Sequence, residues 1–199
     1  MTKSIPYYFS LNSPWTYLGD ARFTEMTARH GFTIDYKPTS LGKVFPTTGG
    51  LPLPKRAPAR QAYRFQELVR WRDHVGIPLN LEPAFFPADE WPVAGMVIAA
   101  KGHDQGAGPM VNGILTAVWA EERNIADRDT LLTIAGERGY DGAALMAAGD
   151  TDEAKAEFDQ NADDALACGV FGAPSYVIGE QVFWGQDRLD FVERALAGA

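Results

Sequence analysis

The chain has 199 residues, of which 46% are hydrophobic and 22% charged, a composition that excludes disordered, collagen-like and disulfide-stapled proteins. Eighteen basic against twenty-six acidic residues give a net charge of -8. Because that charge repels a phosphate backbone, nucleic acid is excluded as an expected partner. A single cysteine, the lack of an apolar signal core at the start and the absence of any run of 18 apolar residues predict a cytoplasmic protein without membrane contact.

The first forty residues predict a strand, a helix and a second strand. Residues 5–11 form an aromatic-rich apolar run that is typical of a buried strand. Ser13 followed by Pro14 has the cap and first-turn order that opens helices, and Gly31 marks the end of the helix. Residues 32–36 alternate like a second strand, so a βαβ unit is expected.

The middle of the chain predicts a loop followed by helices. Seven glycines and prolines between residues 41 and 60 deny the backbone regular hydrogen bonding and indicate a long loop. Apolar residues then recur at helical spacing. The predicted helices cover residues 59–75, 92–101, 109–123, 127–138, 141–148 and 151–168.

The last part of the chain returns to strand-like patterns. Residues 175–178 and 181–184 flank the turn pair Gly179-Glu180 and predict a β-hairpin, after which a closing helix is expected. The predicted fold class is therefore α/β. It consists of one discontinuous domain and one domain formed by the loop and the helical insertion, with boundaries at 1–40 and 169–199 for the first and 41–168 for the second.

Ser13 is the first candidate functional residue. It lies where the first strand meets the first helix, and there the unpaired amides and the positive end of the helix dipole stabilise an anion. The Ser13 hydroxyl is placed to donate a hydrogen bond to such an anion. The alternative is that Ser13 only caps the helix, since serine is a leading cap residue; the residues alone leave both open.

Gly172-Ala173-Pro174-Ser175 is the second candidate feature. A proline directly before a strand removes a donor from the ladder and is tolerated at a strand start or with a cis bond in a tight turn. We predict a cis bond before Pro174. Such a bond leaves the Ala173 backbone free to bind a ligand.

Together these features resemble the thioredoxin-like fold of the DsbA superfamily, with Ser13 and Thr16 at the positions of its two redox cysteines. Without thiols there, disulfide exchange is lost. Within that superfamily the chain most resembles 2-hydroxychromene-2-carboxylate isomerases and kappa-class glutathione transferases. The most specific motif is Phe-Trp-Gly-Gln-Asp-Arg-Leu at residues 183–189.

The resemblance implies glutathione as the cofactor and Ser13 as the catalytic residue that holds its thiolate. It also implies that the glutathione backbone pairs with Ala173 beside Pro174, and that Gln186 and Asp187 hold the γ-glutamyl end. For Asp187 the alternative is capping of the last helix. The family further implies a homodimer and no metal.

For the substrate, the resemblance implies a small aromatic carboxylate bound by Arg60, Tyr63 and Trp15. Arg60 replaces a lysine of the family pattern, and Gly50 replaces an asparagine that lies near glutathione and substrate in many members. Both departures affect substrate choice more than fold.

Two further predictions concern structural residues. We expect most of the basic residues from 55 to 72 to form a solvated helix face, balanced by the acidic helix from Asp150 to Asp164, with Arg60 as the exception. The alternative is that this local positive charge draws in carboxylates such as glutathione and an aromatic substrate. Cys168 is expected to be a small packed hydrophobe rather than a reactive thiol.

The function predicted from the sequence is therefore glutathione-dependent cis-trans isomerisation of an aromatic carboxylate in the catabolism of aromatic compounds. Two alternatives stay open. A kappa-like transferase consumes glutathione, whereas a non-catalytic thioredoxin-like binding module needs no organised thiolate.

Overall fold

A computed structural model describes residues 3–198 of the chain. Its sheet has four strands in the order β2-β1-β3-β4. β1 runs parallel to β2 and antiparallel to β3, and β4 runs antiparallel to β3. The strands are Ser4–Phe9 (β1), Thr33–Pro38 (β2), Ser175–Ile178 (β3) and Gln181–Trp184 (β4).

Helices account for most of the remaining chain. Between residues 3 and 198, no helix is both long enough and apolar enough to cross a bilayer. The α-helices are Pro14–Arg29 (α1), Leu41–Thr48 (α2), Pro58–Val75 (α3), Val93–Ala100 (α4), Gly108–Trp119 (α5), Arg128–Glu137 (α6), Gly142–Gly149 (α7), Asp152–Ala167 (α8) and Leu189–Ala197 (α9), with short 3-10 helices at Leu53–Lys55 and Gln186–Arg188.

The predicted α/β class, the βαβ unit and the β-hairpin are confirmed, and the predicted helices agree with the structure to within a few residues. The prediction of a loop over 41–60 is wrong in part, because α2 forms there with Pro46 inside it. Val44 is fully buried in a small core together with Ala162 and Ala165 of α8. Burial against a helix that lies over a hundred residues later stabilises α2 despite its proline.

The core places α1 against the sheet and against the helical insertion. The Phe23 ring lies 4.4 Å from the Tyr176 ring of β3 and 4.9 Å from the Tyr7 ring of β1. On its other side, the Tyr17 hydroxyl donates to the Pro78 carbonyl at 2.7 Å. The start of α1 is therefore held from two sides.

One edge of the sheet brings the predicted site segments together. Phe9 of β1 pairs with Pro38 of β2, so both of these parallel strands end at this edge. Ser175 pairs with Trp184, so β3 begins and β4 ends there as well. The turn before α1, the Ala173 loop and the segment after β4 consequently leave the sheet at the same edge.

Candidate active site

Ser13 caps α1, as the sequence predicts. Its backbone is extended, with φ -86° and ψ 121°, and its Oγ accepts a hydrogen bond from the Thr16 N–H at 3.2 Å. The residue is 8% exposed. A hydroxyl has one donor and two acceptor sites. Capping occupies one acceptor of Ser13 and leaves its O–H available for an anion.

The turn that presents Ser13 is held by a segment of the insertion. The Asn12 side chain donates to the Ala88 carbonyl at 2.7 Å and accepts from the Ala88 N–H at 3.0 Å. Glu90 accepts from the Asn12 N–H at 2.9 Å and from the Ser10 hydroxyl. We call these contacts of residues 88–90 with residues 10–12 the loop clamp. The sequence analysis missed it, since Asn12 and Glu90 are 78 positions apart.

Glu90 is the acidic side chain that accepts the hydrogen bonds of the loop clamp. Burial raises the pKa of its carboxyl, and the hydrogen bonds from Ser10 and Asn12 act in the opposite direction. Hydrogen bonds that favour the charged form partly offset the desolvation of a carboxylate. Glu90 thereby fixes the backbone directly before Ser13.

A cleft borders the loop clamp. Its volume is about 360 Å³, within the range of small-ligand sites. Asn12 and Glu90 lie on one side, and Ser40 and Leu41 at the start of α2 lie on another. The segment that begins at residue 41, predicted as a long loop, therefore contributes Leu41 and Gly42 to this cleft.

The bond between Ala173 and Pro174 is cis, which confirms the sequence prediction. The Pro174 carbonyl accepts from the Gly185 N–H at 2.9 Å, and the Ser175 hydroxyl donates to the Gly172 carbonyl at 2.8 Å. Within residues 3–198, neither the N–H nor the C=O of Ala173 has a hydrogen-bond partner. The Ala173 backbone therefore has both its donor and its acceptor free, and its contact with glutathione stays a prediction.

Gln186 and Asp187 differ sharply in exposure. Gln186 is 2% exposed and its side-chain oxygen accepts from Arg22 at 3.1 Å. Asp187 is exposed. The alternative that it caps α9 is wrong, because the cap residue is Arg188, without a side-chain cap bond. Of the two predicted γ-glutamyl contacts, only Asp187 has an accessible side chain.

The predicted substrate residues are spread over two helices. Trp15 is half-buried at the start of α1, whereas Arg60 and Tyr63 are exposed on α3, Tyr63 by 55%. At Gly50 a Cβ would lie 2.2 Å from the Phe45 ring. The Phe45 ring thus gives a packing reason why an asparagine side chain is absent at that position.

The prediction of a solvated basic face fails at Arg64, and the prediction of a packed Cys168 is wrong. Arg64 is buried, because α3 turns this position toward α5 and the chain before α4. The acidic helix α8 does not balance α3; its carboxylates pair with lysines elsewhere, Lys37, Lys43 and Lys101. Cys168 is exposed, since it lies just beyond the end of α8.

Comparison with known proteins places this geometry in context. A family model described as a DSBA-like thioredoxin domain matches residues 4–197. The chain is 30% identical to a 2-hydroxychromene-2-carboxylate isomerase of Sphingobium xenophagum, over 98% of this chain and 99% of that one. It is 24% identical to glutathione s-transferase kappa 2 of Caenorhabditis elegans, over 98% and 92% of the two chains. A solved 2-hydroxychromene-2-carboxylate isomerase superposes with a TM-score of 0.82 at 26% identity, covering 98% of this chain and 95% of that one.

Proposed function

Since the chain belongs to the DsbA-like thioredoxin family, and within it to the family of 2-hydroxychromene-2-carboxylate isomerases, we propose that it is a glutathione-dependent isomerase of an aromatic carboxylate. The observation that carries the proposal is the Ser13 hydroxyl, which caps α1 and keeps its own O–H free. A hydroxyl at this position cannot exchange disulfides, but it can stabilise a thiolate. The similarity to a kappa glutathione transferase supports glutathione as the thiol.

The residues at the sheet edge fit glutathione chemically. Ala173 offers a backbone N–H and C=O without partners among residues 3–198, which suits pairing with a peptide backbone. The exposed Asp187 carboxylate suits the ammonium group at the γ-glutamyl end. Gln186 would contribute through its backbone, because its side chain is engaged by Arg22.

When bound, glutathione would supply a thiolate for reversible addition to an unsaturated carbon of the substrate. Ser13 would donate its hydroxyl proton in a hydrogen bond to the sulfur and so keep it anionic at neutral pH. The amino-terminal end of α1 adds its positive dipole. The loop clamp keeps the Ser13 backbone at a fixed position relative to Ala173, which limits the reorganisation needed during turnover.

Ser13→Ala tests the proposal. We expect turnover to fall roughly a hundredfold or more, as when one donor to a reacting anion is removed. The pKa of bound glutathione, followed by thiolate absorbance, should rise relative to that in the parent. The matched control is Thr151→Ala, which removes the equivalent cap bond of α8, 3.2 Å long to the Ala154 N–H. Both variants should lose about 1 kcal/mol of stability, and only the first should lose activity.

Equal turnover in Ser13→Ala and Thr151→Ala would reduce Ser13 to a helix cap. Measuring free thiol during turnover separates the two catalytic alternatives. An isomerase leaves the thiol concentration unchanged, whereas a transferase consumes one thiol for each product formed. A binding module would lower neither the thiol pKa nor the substrate concentration. The cytoplasmic location and the homodimer expected from the sequence are part of the same proposal.

A further inference from the structure

Arg64 is a buried cation without an anionic partner. The residue lies in the second turn of α3 and is 9% exposed. Among residues 3–198 nothing forms a hydrogen bond or an ion pair with its guanidinium. Buried charges in proteins are ordinarily paired, because an unpaired one carries the full cost of desolvation. Arg64 therefore has no anion to neutralise it among the described residues.

Aromatic rings surround the guanidinium of Arg64. Its central carbon lies 5.7 Å from the Phe86 ring centroid, 5.8 Å from that of Phe65 and 5.9 Å from that of Trp119. The Trp119 indole N–H is also buried without a hydrogen-bond acceptor in the described chain. We call Arg64 and these three rings the arginine cage. Trp119 is fully buried behind the guanidinium, whereas Phe65 and Phe86 are half-buried beside it.

The guanidinium is not sealed inside the protein. Some polar side-chain atoms of the described chain are shielded from water and have no hydrogen-bond partner. None of them is a nitrogen of Arg64. The exposed 9% of the residue therefore includes part of the guanidinium. A ligand can reach this cation from solvent without unfolding the helix.

The electrostatic surroundings favour an anion. Burial and the positive charge of Arg56 lower the pKa of Arg64 to about 10, so it stays protonated at neutral pH. Arg56 is fixed nearby, its Nε donating to the Leu51 carbonyl at 2.8 Å. Two neighbouring guanidiniums without a carboxylate between them create a local positive potential in a chain of net charge -8.

The chain before α4 connects the arginine cage to the loop clamp. Phe86 is one wall of the cage, and Ala88, two residues later, is hydrogen-bonded to Asn12. Two residues of extended chain span at most about 7 Å. The arginine cage and the loop clamp therefore share the short segment of chain from Phe86 to Glu90.

We propose that the arginine cage binds the carboxylate and ring of an aromatic acid, with Arg64 as the carboxylate anchor. A planar guanidinium binds a carboxylate through two parallel hydrogen bonds, and the half-buried rings of Phe65 and Phe86 beside it favour an aromatic over an aliphatic acid. This site differs from the predicted anchor Arg60, which is exposed one turn earlier on α3. That the acid is the substrate rests on the proposed function; the binding site itself does not.

The test uses the full chain without glutathione and measures binding of trans-cinnamate by titration calorimetry. We expect the parent to bind cinnamate and Arg64→Met to bind it about ten- to a hundredfold more weakly, the effect of losing a charge-assisted pair. Arg60→Met removes the same charge from an exposed position of the same helix and should change the affinity less than about threefold. Cinnamyl alcohol, which lacks the carboxylate, should bind weakly to all three proteins.

A second measurement separates binding from structure. If Arg64 awaits a ligand, Arg64→Met should raise the melting temperature by about 2 to 4 °C, because an unpaired buried charge is replaced by an apolar side chain of similar length. A lower melting temperature would mean that Arg64 serves packing, and equal cinnamate affinity in Arg64→Met and Arg60→Met would overturn the site. Weakened binding of glutathione instead of cinnamate would assign the anchor to the cofactor and likewise refute the proposal.

The outcome is independent of the isomerase assay. Binding lost in Arg64→Met together with glutathione-independent turnover would retain the cage and reject the proposed function. Binding retained in that variant together with glutathione-dependent turnover would do the reverse. Arg64→Lys, which keeps the charge but not the planar fork, should recover only part of the affinity.

Discussion

Two regions of the molecule hold buried charges, and they differ in how those charges are paired. In the loop clamp, the Glu90 carboxylate accepts hydrogen bonds from Ser10 and Asn12. In the interior along α1 and α3, Asp20 is 3% exposed with one carboxyl oxygen unpartnered among residues 3–198. Within the same residues, Arg64 has aromatic contacts but neither a hydrogen bond nor an ion pair. The paired carboxylate fixes the backbone that it contacts, whereas the unpaired groups can still take up a proton or bind a ligand.

The two unpaired charges relieve burial in different ways. Burial raises the pKa of Asp20 to about 7, with a hydrogen bond from Asn112 acting in the opposite direction. A carboxyl can thus become neutral by taking up a proton. A guanidinium cannot lose its charge at physiological pH, so Arg64 can be neutralised only by an anion. An unpaired buried acid therefore indicates pH sensitivity, whereas an unpaired buried arginine indicates a ligand.

The largest expected effect concerns Asp20. Below about pH 4 its carboxyl is protonated in both the folded and the unfolded chain, so its burial is tolerated there. As the pH rises from about 4 to about 7, the unfolded chain releases the proton that the folded chain still holds. Over this interval the free energy of unfolding falls by on the order of 4 kcal/mol, and above about pH 7 the loss is complete.

Asp20→Asn should abolish this loss. Urea unfolding at intervals from pH 4 to 9 should show the variant and the parent equally stable near pH 4, the variant increasingly more stable up to about pH 7, and a constant difference above that pH. Asp163→Asn removes the same charge from an exposed position on α8 and should follow the parent. Parallel curves for Asp20→Asn and the parent would show that Asp20 is ionised at little cost.

Glu90 allows the paired region to be disrupted separately. Glu90→Ala leaves the Ser10 hydroxyl and the Asn12 N–H without their acceptor and should cost about 2 to 3 kcal/mol. Glu90→Gln keeps an acceptor oxygen and should cost about 1 kcal/mol. Because the loop clamp positions Ser13, kcat should fall in Glu90→Ala and recover in Glu90→Gln, while cinnamate binding at Arg64 stays unchanged.

Steady-state kinetics at saturating glutathione, together with thermal unfolding, tests the Glu90 prediction. A loss of stability with full kcat in Glu90→Ala would show that the loop clamp stabilises the fold without positioning Ser13. A joint loss of cinnamate affinity would mean that the two regions are not separable.

The smallest effect is expected at Arg22. This residue lies two positions after Asp20 on α1, and its guanidinium donates a hydrogen bond to Gln186. Arg22→Met leaves the buried side-chain oxygen of Gln186 without its donor, at 3.1 Å in the parent, and should cost about 1 to 2 kcal/mol. Arg29→Met breaks an exposed ion pair with Glu193, 3.0 Å long, and should cost less than about 0.5 kcal/mol. Equal losses of stability, measured by urea unfolding, would contradict the importance of burial for the Gln186 contact.

Much of the fold could be predicted from local sequence. Ser13 before Pro14 sets the start of α1, and Gly179-Glu180 between two alternating runs sets the hairpin, because caps and tight turns depend on neighbouring residues. The cis bond before Pro174 and the position of Ser13 at the sheet edge were likewise accessible from the sequence and its family resemblance.

The tertiary structure alone decided the pairing and burial of single side chains. No pattern in the sequence predicts that Asn12 contacts Glu90 or that α2 forms around Pro46. Nor does any pattern predict that Arg64 is buried while Arg60 is exposed. Each of these depends on contacts with elements distant in the chain, whose helical pattern indicates which face is apolar but not which neighbour covers it. Propensity and capping act within a few residues, whereas burial, and with it the partner of a buried charge, is set only when remote elements pack together.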